Sequence, residues 1–227
     1  LRFAEFGSDG KRLRESLVDT RVCDCCQTAV VSTPRGLLAA YRDRSDDEIR
    51  DISLVRPESS QAAARPLAVD GWKIKACPVN GPALHARGDR VAAAWFTMAG
   101  DKPRVRFAVS SDAGESFSAP VDLDASAPLG RIDAALLPKG DALVAWVVRV
   151  GEGQAEIRAA RVKPGEAPRV FPVAPTSVAR ASGFPRLEAG DDGVVFAWTE
   201  VGKPAVEGGR AASRVRVALL AWAPEVR

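Results

Sequence analysis

Residues 81–97 read GPALHARGDRVAAAWFT: a short apolar stretch, a turn with Gly88 and Asp89 at its corner, and a second apolar stretch closed by an aromatic pair. The same outline returns as TAVVSTPRGLLAAYRD at 28–43, IDAALLPKGDALVAWVV at 132–148 and FPRLEAGDDGVVFAWTE at 184–200. Tyr41, Trp95, Trp146 and Trp198 therefore recur at a beat of about 52 residues, the kind of period that marks a repeat architecture.

Outward from each aromatic the outline continues. A polar connection leads to a third apolar run, EIRDISLV, RVRFAVSS, AEIRAARV or RVRVALLAW, and weaker fourth runs follow, such as SAPVDLD and RVFPVAP. Short β-rich runs bounded by Gly, Pro and Asp are strands, and four of them per repeat describe a propeller blade. No stretch holds a helical period for three turns. The runs are apolar at nearly every position, as when both faces of a sheet pack on neighbours, so the four aromatics are expected in the core between blades.

The predicted fold is all-β: one β-propeller domain over 1–227 with about four four-stranded blades. Their bounds fall near 21–74, 75–127, 128–178 and 179–227. LRFAEFGSDG resembles a third strand and its exit, so residues 1–20 are expected to be partial strands of a preceding or closing blade.

A chain of 227 residues that is 46% hydrophobic can bury a full core. Its longest apolar runs are far below the roughly 20 residues of a membrane helix, so no span is expected. The 32 basic residues are interleaved with 29 acidic ones, which leaves no footprint for nucleic acid. The chain starts at Leu1 without an initiator Met, as after removal of a signal peptide or in a piece of something longer.

Three of the four cysteines, Cys23, Cys25 and Cys26, crowd into CDCC, and Cys77 lies in KIKACPVNGP. If consecutive blades are neighbours, both segments meet at one end of adjacent sheets. In an exported protein four cysteines imply two disulfides; here Cys77 would join one of the crowded three and two others would pair. The rival is a metal site, since soft thiolates select copper(I) or zinc, although only Cys23 and Cys26 have CxxC spacing. The lone histidine, His85, is expected to be a strand residue rather than a ligand. No metal and no other cofactor is assigned from sequence beyond that rival reading of the cysteine cluster.

SSDAGESF fits the pattern Ser-x-Asp-x-Gly-x-x-aromatic through Ser110, Asp112, Gly114 and Phe117. Such a turn uses side-chain oxygens to hold the loop backbone and a glycine for the awkward dihedral. It resembles the Asp box of sialidase-like (BNR) propellers. The order CDCCQT, YRDRSDDEIRDI, DGWKIKACPVNGPA, WFT, the Asp box and SGFPRL is similar to bacterial secreted exo-α-sialidase-like proteins over nearly the whole chain. The resemblance implies a periplasmic or secreted protein and a structural Asp box remote from any pocket. It also implies further blades upstream, as in a ring of six; a second chain that completes the ring is the other expectation.

It further implies a glycoside hydrolase ancestry, in which three arginines hold a carboxylate, a tyrosine is the nucleophile and an aspartate is the acid/base. Arg42, Arg50, Arg106, Arg158 and Arg216 are the arginine candidates, the last four at similar places in their blades. Tyr41 is the one tyrosine and occupies the repeated aromatic position, so no catalytic residue is assigned. The leading expectation is an exported propeller that binds a glycan or other anionic ligand at its central face, through Tyr41, Arg42, Arg50, Asp51, Trp72 and Asn80, with any residual activity that of an exo-α-sialidase-like glycoside hydrolase. The alternative is a metal-binding or protein-interaction scaffold built around the cysteines. The charged stretch YRDRSDDEIRDIS can also be a solvated hairpin whose charges pair locally.

Overall fold

The structure is a computed structural model, in which residues 1–59, 63–190, 192–202 and 212–221 are described. Strands β1 (Arg2–Phe6) and β2 (Arg12–Leu17) form a two-stranded hairpin. Four antiparallel sheets follow. The first holds β3 (Ala29–Thr33), β4 (Gly36–Arg42), β5 (Ile52–Val55) and β6 (Arg65–Pro66). The second holds β7 (Ala83–Arg87), β8 (Arg90–Thr97), β9 (Arg104–Ser110) and β10 (Val121–Asp124). The third holds β11 (Pro128–Leu136), β12 (Ala142–Arg149), β13 (Gln154–Val162) and β14 (Arg169–Ser177). In the last, β15 (Arg186–Ala189), β16 (Gly193–Val201) and β17 (Ser213–Ala221) are paired. Residues 222–227, at the end of the expected fourth blade, lie outside the described residues.

Each sheet is an up-and-down meander, and the first strands β3, β7, β11 and β15 pack side by side. This is the propeller arrangement expected from the repeat: first strands inside, later strands outward. Helix is confined, among the described residues, to two single turns at Ala99–Asp101 and Arg180–Ser182.

The core lies between sheets. Leu38 and Leu54 of the first sheet pack with Val91, Trp95 and Ala108 of the second, and Phe96 and Phe107 of the second with Trp146 of the third. Leu143 of the third meets Leu187 and Phe196 of the last. Such packing explains why the sequence runs are apolar at almost every position: both faces of the inner sheets are covered.

The repeated aromatics do more than fill space. Tyr41 donates its hydroxyl to Asp19 at 2.6 Å, Trp95 donates Nε1 to Asp70 at 2.7 Å, and Trp146 donates Nε1 to Asp124 at 2.7 Å. Each acid sits on the chain arriving from the preceding sheet, so each bond ties an aromatic to that incoming chain. Arg106 stands opposite Trp95 and Arg158 opposite Trp146; the first also pairs with Asp70 and the second lies 3.9 Å from Asp124. Strand β14 carries no acid, so Trp198, which faces Arg216, has no carboxylate partner from it.

This register corrects one expectation. Arg106, Arg158 and Arg216 are equivalent, but the residue opposite Tyr41 is Ser53, and Arg50 lies ahead of β5.

At the turn between β9 and β10, Ser110 Oγ accepts the Gly114 N–H at 2.8 Å and Asp112 accepts the Ser116 N–H at 2.9 Å. Phe117 packs into the core beneath, between the first two sheets. Gly114, at φ 86°, faces Leu38 so closely that an added Cβ would lie 2.4 Å from Leu38 Cδ2. The turn belongs to the opposite end of the sheets from the CDCC segment, which precedes β3.

Candidate functional site

The CDCC segment is held at the exit of β4. Cys23 donates its backbone N–H to the Arg42 carbonyl at 2.9 Å, and Val22 bridges Asp43. A tight turn follows, closed by the Cys26 N–H on the Cys23 carbonyl at 3.1 Å. Against it lies the linker from β6 to β7. Gly81 donates to Gln27 Oε1 at 2.9 Å, and a Cβ at Gly81 would sit 1.8 Å from the Gln27 carbonyl oxygen. Only glycine permits that approach.

The two segments bring all four sulfurs within 4.8 Å of one another. Cys25 and Cys77 form a disulfide, while Cys23 and Cys26 are free thiols. Cys77 is therefore tied to one of the crowded three, as expected. The second disulfide is corrected: Cys23 Sγ contacts Cys25 Sγ at 3.6 Å, and Cys26 remains a thiol. Burial, with the neighbouring Cys23 sulfur, pushes the Cys26 thiol up to about 12.

Two arginines back the cluster. Arg42, buried beneath it, donates Nε to the Asn80 carbonyl at 2.6 Å, Nη1 to the Arg50 carbonyl at 2.5 Å and Nη2 to the Phe96 carbonyl at 2.7 Å. Its guanidinium also lies over the Trp72 ring at 4.8 Å, and Trp72 meets Phe96 edge to face. Burial lowers the pKa of Arg42 and the nearby Cys26 and Cys23 sulfurs offset that shift. Arg50 donates Nη1 to Cys23 Sγ at 3.5 Å and Nη2 to Glu48 at 3.0 Å; its buried Nε has no hydrogen-bond partner among the described residues.

Glu48 joins the charges of the loop 43–51. Its carboxylate accepts from Arg44, Arg50 and Arg21, and hydrogen bonds from Arg44 and Arg50 hold it down at about 2. Local pairing thus describes this loop, with Arg42 and Arg50 turned inward.

The residues expected to receive a ligand are together at this end, but their polar groups are committed to the fold. Tyr41 is buried and bonded to Asp19, and burial raises its pKa. Asp51 accepts the backbone N–H groups of Asp70, Gly71 and Trp72 at 2.9, 2.8 and 3.0 Å. Asn80 donates to the Leu129 carbonyl and accepts the Arg131 N–H at 2.8 Å. Arg42, Asp51 and Asn80 thus spend these donors and acceptors on backbone groups of the fold. Trp72 is stacked inside rather than offered to solvent.

Sequence reasoning missed the residues that line the inner strands nearby. Arg131, at the start of β11, donates to the Val178 and Ala179 carbonyls, and Arg180 lies close enough to depress its pKa, after burial. Arg186, at the start of β15, pairs with Asp133 at 3.2 Å. Deeper in, His85 accepts the Leu136 N–H at Nδ1 and lies 3.9 Å from Glu188. A repeat alignment that tracked charged positions on the first strands would have found His85, Arg131 and Arg186, though not Arg180, which lies in the turn Arg180–Ser182.

No protein-family model and no curated protein sequence matches the chain. Solved structures do. A Trypanosoma rangeli sialidase in complex with 2,3-difluorosialic acid is 10% identical with a TM-score of 0.57, over 95% of this chain and 38% of that one. The Hadza microbial sialidase Hz136 is 17% identical with a TM-score of 0.53, over 85% of this chain and 44% of its own. A protein of unknown function from Dyadobacter fermentans DSM 18053 is 17% identical with a TM-score of 0.51, over 83% of this chain and 51% of that one. The chain is thus an all-β propeller with the fold of the sialidases, and it spans under half the length of the two sialidases. No helix among the described residues is long and apolar enough to cross a membrane.

Proposed function

We propose that this chain is part of an exported sialidase-like propeller, a single domain over 1–227, that binds an acidic glycan or similar anion at its central face. The observation that carries this reading is the placement of Arg131 and Arg180. Arg131, bonded through Nη1 and Nη2 to the Ala179 and Val178 carbonyls just ahead of Arg180, brings two guanidinium groups into one neighbourhood, and such forks suit a carboxylate or similar anion. Arg186 adds a third cation at the same end, offset by Asp133. Arg42, Arg50, Asp51 and Asn80 then shape the rim through the bonds they make within the fold.

Binding is the role of these residues, and no residue of this chain is assigned as a nucleophile. Its single tyrosine is buried and donates to a carboxylate. The turn at Ser110–Phe117 is read as a structural Asp box, and further blades or a second chain would complete the ring. The Cys25–Cys77 disulfide supports a periplasmic or secreted location, since such bonds persist in oxidising compartments.

Titration with N-acetylneuraminic acid, followed by calorimetry or NMR, tests the reading. Saturable binding that Arg180→Ala abolishes without lowering the melting temperature supports it, whereas binding indifferent to Arg180 overturns the site. A fluorogenic sialoside assay on the same sample separates binding from hydrolysis.

A further inference from the structure

Four sulfurs within 4.8 Å of one another are more than one disulfide requires. Ligands at 2.3 Å from a tetrahedral zinc ion stand about 3.8 Å apart, and the Cys23–Cys25 contact of 3.6 Å is already close to such an edge. The donors come from two segments that meet through Gly81 and Gln27, so the chain closes around the sulfurs from both sides.

Three further observations point to an ion at this place. The Arg50 side chain is 6% exposed, gives one N–H to Cys23 Sγ and leaves its buried Nε without a partner among the described residues. Val79 is held at φ 53°, a conformation costly for a β-branched residue, and strain of this kind gathers at working sites. Its neighbour Asn80 turns its carbonyl to Arg42, which holds this linker against the cluster. An N–H directed at sulfur, as Arg50 Nη1 is at Cys23 Sγ, orients and stabilises a thiolate ligand at a metal.

Charge selects the ion. A divalent cation with four thiolates carries two negative charges, which the Arg42 and Arg50 guanidinium groups face from the buried side. All-sulfur tetrahedral coordination suits zinc.

We propose that Cys23, Cys25, Cys26 and Cys77 form a redox-gated zinc site, closed as the Cys25–Cys77 disulfide and opened by two-electron reduction. The reductant is a dithiol: two electrons and two protons pass to Cys25 and Cys77 as the dithiol becomes its own disulfide. Zinc(II) then displaces four protons from four thiols and binds as the tetrathiolate. In an oxidising compartment the disulfide is the resting form. The site is independent of anion binding at the inner strands, and failure of either leaves the other standing.

The full chain is reduced with excess dithiol without oxygen, freed of reductant, loaded with zinc and desalted. About one retained zinc per chain, with four thiols shielded from alkylation, is the expected result. Retention should fall at least tenfold in Cys23→Ser and Cys77→Ser, and an oxidant should release the zinc as Cys25 and Cys77 rejoin. Because either variant may disturb folding, cobalt(II) is loaded into the reduced unaltered chain, where sulfur-to-metal absorption reports tetrathiolate ligation directly. Freely alkylated thiols in the presence of zinc, or cobalt spectra without thiolate bands, would overturn the proposal.

Discussion

Arg42 Nε donates to the Asn80 carbonyl at 2.6 Å, so one side chain of β4 holds the linker that delivers Cys77. The same guanidinium serves the Arg50 and Phe96 carbonyls. Arg42→Ala would leave three acceptors without their donor. A loss of about 3 kcal/mol or more in urea unfolding is expected, since each buried unsatisfied group costs on the order of 1–3 kcal/mol. A loss below about 1 kcal/mol would show that water replaces the guanidinium.

Gly81→Ala places a methyl on the Gln27 carbonyl. Separating these backbones should cost about 1–3 kcal/mol, as overpacking does, and should lower the yield of the Cys25–Cys77 peptide in non-reducing digests. An unaltered digest and melting curve would mean that the two segments are not held together here.

The Cys25–Cys77 bond closes a loop with a sequence separation of 52. Chain entropy sets its contribution at about 4 kcal/mol. Oxidised protein should therefore unfold at higher urea than reduced protein, and Cys77→Ser should be indifferent to reductant. Equal midpoints with and without reductant in the unaltered chain would rule out a stabilising bond.

Asp70 receives both Trp95 and Arg106 with its side chain only 1% exposed. Asp70→Asn removes the charge that Arg106 faces while keeping the size. Breaking one partner of a buried pair costs about 3–5 kcal/mol, and the melting temperature should drop accordingly, with a changed tryptophan emission. Asp124→Asn at the equivalent place should act in the same direction but less strongly, because Arg158 stands farther from it.

Glu48 gives the pH dependence. Its folded pKa, about 2, lies below the ordinary 4.5, so its contribution is present above pH 4.5 and is lost as pH falls toward 2. Melting curves of the unaltered chain should shift downward across that window more than those of Glu48→Gln. Parallel curves would detach Glu48 from acid stability. Tyr41 acts at the other extreme: its raised pKa gives stability below pH 10 that declines as the unfolded chain ionises above it. Tyr41→Phe should flatten that alkaline decline.

Much of the fold was legible because a blade must show a recurring pattern of apolar runs and turns, and the four aromatics carried the beat. The acids that receive them were legible too, had the alignment been extended backward: Asp19, Asp70 and Asp124 precede Tyr41, Trp95 and Trp146 by similar distances. The meeting of Cys77 with CDCC followed from neighbouring blades. What sequence could not convey was direction. Arg42, Asp51 and Asn80 look like a binding set because their types suit one, and only the three-dimensional hydrogen bonds show them occupied by backbone. The pairing of Cys25 rather than Cys23 or Cys26 was equally hidden, because one-residue differences within a tight turn are settled by geometry.

The aromatic bonds to incoming acids have an ordered polarity along the chain. Asp19 is synthesised before Tyr41, Asp70 before Trp95 and Asp124 before Trp146. Each of the first three sheets, on leaving the ribosome, meets an acceptor already waiting in the segment ahead of it. Assembly can thus run in step with translation, one blade at a time, with the emerging aromatic checking that the preceding segment is in place.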